Sequence, residues 1–461
     1  MTINPLKSNT LTKDKIKYAI YKSTETKPTS GINLGTVTDV NTDLSSFSNA
    51  SAIDESLIVS EGYLKGATTN GGNDGESVTY ILYLWMDEND TLADKNKTFE
   101  ASVYVSNVAK KVPPTAAETI LGLVPDADPT DTSEIDNGTD ESGCTNTLAY
   151  DDFGNLRYTG ANPCNFVTFN EEDAGWRIIG VFDNQIKLIR KESIGLFPWD
   201  ASDVNKGYGI NQWGESGDYK GADLMKLLNP GYENNMENVY HIDVLHNTIY
   251  DGLQLVNNSL YWNRKNGTYY NTYRRKSSTC NFSSSGLTDT TKEMIDNHIW
   301  NLGSNDGTIY VFNNIKVKPL YELERSNNFG KICNGGEGCN DTVDRTLTWE
   351  GYVGLMYPSD YGYAVGGEVR DNCIVNTNLY NYNTNNCNMN DWILYSDNQW
   401  TITPFAHSSS AMNVFFVDSN GTVQGTSAVN EYAVRPTVFL KSNVVMSGSG
   451  TPTNPYVLSL E

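Results

Sequence analysis

Cysteines are the most reactive side chains of this 461-residue chain, and six of the seven form pairs that are close in sequence. These pairs are Cys144 with Cys164, Cys333 with Cys339, and Cys373 with Cys387. No Cys-x-x-Cys occurs and no histidine lies near a pair at ligand spacing, so we expect no structural zinc site. Such short separations are typical of disulfide bonds that staple loops in an exported protein, whereas reduced, buried thiols in a cytosolic protein are the alternative. Cys280 is left either free or bonded to a distant segment.

Residues that could act as a nucleophile or as a general base do not form a recognisable motif. The four histidines are His241, His246, His298 and His407. Scattered histidines more often have structural or surface roles than catalytic ones. There is no Gly-x-Ser-x-Gly sequence before a helix and no glycine pattern of a phosphate-binding loop. The 56 acidic residues could include the paired carboxylates of a glycosidase, but the sequence singles out no pair. The sequence therefore predicts no catalytic residue and no enzyme.

An acidic segment between Asp126 and Glu141 is the one place where the residue types would suit a metal ion. Carboxylates at alternate positions are ligands that calcium prefers. The segment lacks the glycine turn and the terminal glutamate of a recognised calcium loop, so a solvated, self-repelling linker is the preferred interpretation. We therefore expect no cofactor and no metal.

Aromatic and amide side chains are concentrated in the last quarter of the chain, and they point to ligand binding. Tyrosine, tryptophan and asparagine combine rigid amphipathic contact with adaptable hydrogen bonding, as binding loops do. Trp392 and Trp400 are more typical of a core, whereas an Asn-rich loop between Asn376 and Asp391 is expected at the surface. The candidate ligand-binding residues are Tyr380, Tyr382, His407, Asn413, Asn430 and Tyr432.

Composition sets the class of protein. The formal net charge is −23, which argues against nucleic acid as the main partner. No window approaches the run of about 18 apolar residues that a membrane span needs. The many Asn, Thr, Ser and Gly residues favour short strands joined by turns, and the length is typical of about three domains. We expect a β-rich α+β protein.

Hydrophobic periodicity divides the chain into three segments. In residues 1–110, Val78–Met86 and Thr98–Val105 alternate apolar and polar side chains and are predicted to pair as an antiparallel ribbon of a partial β-sandwich. Residues 111–143 are predicted to be an acidic linker that contains one short helix over 115–123. Residues 144–461 are predicted to form a large domain, with a three-stranded meander over 166–192 and helices over 221–228 and 288–300.

Two phrases of the first segment resemble a known family. Lys15–Lys22 and Tyr83–Asn89 resemble the second half of TasA/camelysin-type domains, which are exported β-sandwiches, some of them subunits of biofilm fibres. The resemblance implies self-association through an open sheet edge. That family's first strands have no counterpart here and no signal peptide follows Met1, so the sequence is expected to be a piece of a longer exported protein.

The last segment resembles C-type-lectin-like domains of secreted or surface proteins from Gram-positive-type gut bacteria. The phrases that carry this resemblance are Gly354–Tyr363, Gln399–Phe405, Tyr432–Lys441 and Gly448–Val457. The formylglycine-generating enzymes share this fold, but they need a cysteine pair near the end of the chain, and no cysteine follows Cys387. In the variable proteins of diversity-generating retroelements, which also share it, the variable interval corresponds to Ala406–Ala433 here. The resemblance thus implies ligand binding without catalysis.

Three functions remain open at the level of sequence. The preferred one is an extracellular or cell-surface binding or adhesion protein that displays a C-type-lectin-like domain to an unknown glycan or protein ligand. A structural subunit of a surface fibre or biofilm matrix is the first alternative, and a polysaccharide hydrolase is the second.

Overall fold

The computed structural model describes residues 2–22, 26, 28–38, 54, 57–59, 80–86, 97–104, 113–200, 211–216, 221–230, 240–243, 248–251, 262, 266–271, 276–304, 314–326, 345–405 and 413–460. They belong to two compact units, Met1–Val112 and Pro113–Glu461. Both units are rich in β-strands, which confirms the predicted β-rich α+β class.

Six strands of the first unit form two three-stranded antiparallel sheets. The strands are β1 (Thr2–Pro5), β2 (Ile16–Lys22), β3 (Ile32–Asn33), β4 (Leu57–Ile58), β5 (Tyr80–Met86) and β6 (Ala101–Tyr104). The sheet orders are β4-β1-β6 and β3-β2-β5, and a small core that includes Ile3, Ile16 and Leu34 holds the unit together. The result is a small β-sandwich.

The predicted ribbon of the two alternating segments is wrong. β5 pairs with β2 over seven residues, from Ile16 opposite Met86 to Lys22 opposite Tyr80, and β6 pairs with β1 in the other sheet. The side-chain contacts along the seven-residue pairing of β2 with β5 outweigh the short sequence distance that favoured a hairpin. A groove of about 680 Å³ lies in this unit and is lined mainly by apolar side chains, among them Leu11, Met86 and Phe99.

The second unit contains the other described strands and all described α-helices. The strands are β7 (Ile135–Thr139), β8 (Thr145–Tyr150), β9 (Leu156–Tyr158), β10 (Phe166–Phe169), β11 (Glu172–Phe182), β12 (Gln185–Arg190), β13 (Leu196–Pro198), β14 (Tyr240–Asp243), β15 (Thr248–Asp251), β16 (Asn266–Asn271), β17 (Lys276–Asn281), β18 (His298–Asn301), β19 (Thr348–Gly351), β20 (Val353–Gly354), β21 (Gln399–Pro404), β22 (Asn413–Val417), β23 (Val423–Ser427), β24 (Glu431–Ala433), β25 (Thr437–Phe439), β26 (Val444–Ser447) and β27 (Tyr456–Leu460). The helices are α1 (Ala116–Leu121), α2 (Asp223–Leu228), α3 (Asp289–Met294), α4 (Val317–Glu324) and α5 (Pro358–Tyr363).

Two main sheets organise these elements. The larger has ten strands in the order β20-β25-β12-β11-β10-β27-β26, and β7, β8 and β9 continue from β11. The smaller has five strands in the order β13-β24-β21-β22-β23. The C-terminal strand β27 returns to pair in parallel with β10, near the start of the unit. The predicted meander is confirmed, because β10, β11 and β12 are antiparallel neighbours.

The predicted linker over 111–143 is wrong from Pro113 onward. Thr115 and Glu118 form a reciprocal capping box at the start of α1, and the helix packs on β11, β12 and β26. Ile120 is fully buried there, and β7 pairs with β8. The acidic composition of the segment concealed a few apolar residues, and these are enough to bury one face of a short helix. The short helix itself is confirmed.

The two predicted longer helices have different outcomes. The helix over 221–228 is confirmed as α2, whose leucines are buried. The helix over 288–300 ends at Met294, because the chain turns there and continues as β18, in which Trp300 pairs with Trp349 of β19. Thr288 caps α3 as its sequence indicates, by accepting a hydrogen bond from the backbone N–H of Thr291.

No helix in the described part of the chain is both long and apolar enough to cross a membrane.

Candidate functional site

Two of the three predicted disulfide bonds are confirmed. Cys144 is bonded to Cys164 and Cys373 to Cys387, with Cα atoms 5.1 and 5.7 Å apart. The pair Cys333 and Cys339 lies outside the described residues, as does the side chain of Cys280. The bond between Cys373 and Cys387 closes most of the Asn-rich segment into a loop. We call this loop and its flanking residues, 372–391 in all, the stapled loop.

Hydrogen bonds inside the stapled loop fix its backbone. The Asn385 Nδ2 atom donates to the Thr377 Oγ1 atom at 2.8 Å, and the Thr384 N–H donates to the Asn381 carbonyl at 2.9 Å. Short helical turns at Leu379–Asn381 and Asn388–Asn390 complete it. A loop bonded in this way loses little conformational entropy when it binds a partner.

The stapled loop lies against the turn between β22 and β23. The Asn388 Nδ2 atom donates to the Asn420 carbonyl at 2.8 Å, and the Tyr361 hydroxyl donates to the Gly421 carbonyl at 2.9 Å. Gly421 has a φ of +90°, and a Cβ atom there would lie 2.3 Å from the Asn388 Cβ atom, so only glycine fits. The interval Asn376–Asn390 and the interval Ala406–Ala433 therefore meet at this turn.

The two tyrosines predicted as ligand contacts in the stapled loop differ in exposure. Tyr380 is 38% exposed, whereas Tyr382 is 0% exposed. The Tyr382 hydroxyl donates to the Gly362 carbonyl at 2.5 Å, and its ring lies 5.5 Å from that of Tyr361. Tyr382 is therefore a core residue beneath the loop, and its assignment as a ligand contact is wrong.

Three more of the predicted contacts lie on or beside the strands of the five-stranded sheet, apart from the stapled loop. Asn413, Asn430 and Tyr432 are half-buried. The ring of Tyr432 packs 4.7 Å from that of Trp400, and the Asn430 Nδ2 atom donates to the Thr426 Oγ1 atom at 2.8 Å. Tyr432 is on β24, three strand spacings or about 14 Å from β23, the strand that approaches the loop. His407 lies outside the described residues, and the predicted residues that the structure describes do not form one cluster.

Sequence reasoning missed two apolar residues of the stapled loop. Val375 is 58% and Met389 69% exposed, although both are large hydrophobic side chains. Solitary exposed apolar residues are common, but here Val375 shares the disulfide-closed loop with Tyr380, and Met389 follows that loop directly. Apolar residues in an otherwise Asn-rich segment, Val375 between the two cysteines and Met389 just after the second, were the signal that could have identified them.

A cluster of charged side chains is fully buried around Asp360 of α5. The Lys187 Nζ atom lies 2.5 Å from the Asp360 Oδ2 atom, and the Arg157 NH1 atom donates to Asp360 Oδ1 at 3.0 Å. The Arg157 Nε atom also donates to Asp151 at 2.7 Å. Burial lowers the pKa of Lys187 to about 8 although Asp360 opposes this, and Lys187 and Arg157 together hold the pKa of Asp360 below its usual value.

Glu324 of α4 extends this buried cluster. Its carboxylate accepts hydrogen bonds from the backbone N–H and the hydroxyl of Ser359, and from the guanidinium of Arg325 at 3.0 Å. Burial nevertheless raises the pKa of Glu324 to about 7, because desolvation of the charged form outweighs these bonds. The cluster can thus hold a proton near neutral pH, but it has no exposed side chain among Lys187, Asp360 and Glu324.

Among the described residues no group of three or more His, Cys, Asp or Glu side chains is placed to hold a metal ion. Comparison of the chain with protein-family models, with curated proteins and with solved structures finds no match.

Proposed function

We propose that this is an extracellular or cell-surface binding protein, and that the stapled loop is its contact surface for a protein partner. The observation that carries the proposal is the exposure of Tyr380 and Val375 within the loop that the Cys373–Cys387 disulfide bond closes, and of Met389 just after Cys387. Tyrosine and methionine are enriched at the centres of protein interfaces, and a preorganised loop binds at low entropic cost. Disulfide bonds support an extracellular location.

The fold that we propose for the second unit is C-type-lectin-like. The return of β27 to the large sheet beside β10 and the smaller sheet that carries the β22–β23 turn support this assignment. The neighbouring asparagines supply uncharged hydrogen-bonding groups, so binding depends weakly on salt. A glycan ligand is the alternative that the test must separate from a protein.

The test measures binding of the purified chain to a panel of immobilised extracellular proteins and to a glycan array. The double variant Tyr380→Ala/Met389→Ala is expected to lose binding at least tenfold with an unchanged melting temperature. Ile299→Ala, which removes an equally exposed apolar side chain on β18, is the matched control and should bind normally. Glycan binding that survives the double variant would contradict the proposal.

A fibre or biofilm-matrix subunit is the second candidate, and one observation favours it. In the first unit, Leu84, Met86 and Val103 are exposed on β5 and β6, beside the apolar groove. Apolar edge strands of this kind promote strand addition between molecules. This candidate predicts polymers that form as the protein concentration rises and that can be detected by sedimentation. Leu84→Lys should abolish these polymers. We do not propose the hydrolase, because Glu324 and Asp360, the acids of the described charged cluster, are fully buried and cannot reach a polysaccharide.

A further inference from the structure

The buried pair of Lys187 and Asp360 has the arrangement of two groups that can react with each other. The amine nitrogen and the carboxylate oxygen are 2.5 Å apart, and both side chains are 0% exposed. Aromatic rings surround the amine, with centroids 4.3 to 5.6 Å from the Nζ atom: those of Tyr357, Phe439, Phe182 and Trp300. Both groups are out of reach of bulk water, which would hydrate both charges and hydrolyse an activated carboxyl.

We propose that Lys187 and Asp360 form an intramolecular amide bond, an isopeptide crosslink between β12 and α5. The Nζ–Cγ bond forms, the bond between Cγ and Oδ2 breaks, and one water molecule leaves. The ammonium of Lys187 first transfers a proton to Oδ2 along their hydrogen bond, which leaves a neutral amine and a neutral acid. Nζ then attacks Cγ, and its second proton accompanies Oδ2 as it departs as water. No oxidant, reductant or further reactant is needed.

Neighbouring groups are placed to assist each part of this step. The Arg157 NH1 atom, 3.0 Å from Oδ1, would stabilise negative charge on that oxygen in the tetrahedral intermediate. The backbone N–H of Tyr357 donates to Oδ2 at 2.9 Å and holds the carboxyl in place for attack. Burial lowers the pKa of Lys187 to about 8, which makes the nucleophilic neutral amine accessible.

The simpler alternative is a permanent ion pair. Lys187 and Arg157 lower the pKa of Asp360, so the carboxylate is favoured before reaction, and carboxylates resist attack by amines. Two features oppose this alternative: a dry site disfavours separate charges, and close fixed placement replaces the collision that a bimolecular reaction requires. The two outcomes differ by one water molecule in mass, which makes them easy to distinguish.

The decisive experiment is the intact mass of the fully reduced, unmodified protein. We expect a mass below that of the sequence by one water molecule, and a branched tryptic peptide in which Lys187 is joined to Asp360 and is not cleaved. Lys187→Met should restore the full sequence mass. Lys318→Met removes a lysine from the exposed ion pair with Asp152 and should keep the deficit, as the matched control.

Three results would overturn the proposal. The first is a reduced wild-type protein with the full sequence mass after prolonged incubation. The second is a deficit that maps to another peptide, such as a succinimide at Asp74-Gly75. The third is a deficit that persists in Lys187→Met. The wild-type measurement decides the question even if the variant fails to fold, and it does not depend on the binding proposal.

Discussion

The Glu324 carboxyl is expected to lower the free energy of unfolding of the wild-type protein as the pH rises. Substitution of Glu324 by glutamine should remove this contribution. Glutamine has the shape and neutrality of the protonated acid, and it keeps an oxygen that can accept from the Ser359 N–H. In the folded protein burial raises the pKa of Glu324 from 4.5 to about 7. The folded state therefore binds this proton more tightly than the unfolded state does.

The sign and size of the effect follow from this difference. The stabilising contribution of the proton is complete below the unfolded pKa and disappears as the pH rises through the folded pKa. A shift of this size corresponds to about 2.5 kcal/mol lost between about pH 5 and about pH 8. The variant has no proton to lose at this position, so its stability should not fall by this amount.

Urea unfolding followed by tryptophan fluorescence at several pH values between these limits measures the effect. The difference in unfolding free energy between variant and wild type should change by about 2.5 kcal/mol across the range, in favour of the variant at high pH. Glu322→Gln, on the exposed side of the same helix, is the control and should follow the wild-type curve. Parallel curves for Glu324→Gln and wild type would refute the reasoning, because they would mean that Glu324 is ionised throughout the range.

Three further predictions concern the elements around the site. Replacing Cys373 and Cys387 together by alanine should lower the free energy of unfolding by about 3 kcal/mol, because it opens a loop whose ends are 14 residues apart in sequence. An unchanged melting temperature would contradict this. Ile120→Ala should lower the free energy of unfolding, measured with urea, by about 2 to 5 kcal/mol, whereas the same change in a solvated linker would have no effect. Leu123→Ala, at an exposed position, is the control. Tyr382→Ala should lower the free energy of unfolding by about 3 to 5 kcal/mol, whereas Tyr380→Ala should change it by less than about 0.5 kcal/mol. Equal melting temperatures of the two variants would show that the burial of these tyrosines is misassigned.

Local signals predicted much of the fold. Alternation predicted the β10–β12 meander, leucine spacing predicted α2, and sequence proximity predicted both disulfide bonds that the structure describes. Each of these depends on residues that are close along the chain. The pairing of β5 with β2 joins strands about sixty residues apart, and no local pattern specifies which distant strand will match.

The errors at the candidate site have the same origin. A tyrosine in an Asn-rich segment looks exposed, but Tyr382 is buried because the Gly362 carbonyl, 20 residues away, satisfies its hydroxyl. Lys187 and Asp360 are separated by 173 residues, so their contact exists only after the sheet and α5 come together. Composition suggested a linker before residue 143 because it averages over charges and misses the few apolar residues that decide burial.

The pairing of β27 with β10 has a consequence for how the protein is made. Strands β25 and β27 are synthesised long after β10 and β12, yet β25 pairs with β12 and β27 pairs with β10. Until β25 and β27 have left the ribosome, the β12-β11-β10 part of the large sheet has open edges on both sides. Contacts of such long sequence separation form slowly. The large sheet can therefore be completed only after β27 has emerged, so the strands made first must wait as an incomplete sheet for partners that are encoded far downstream.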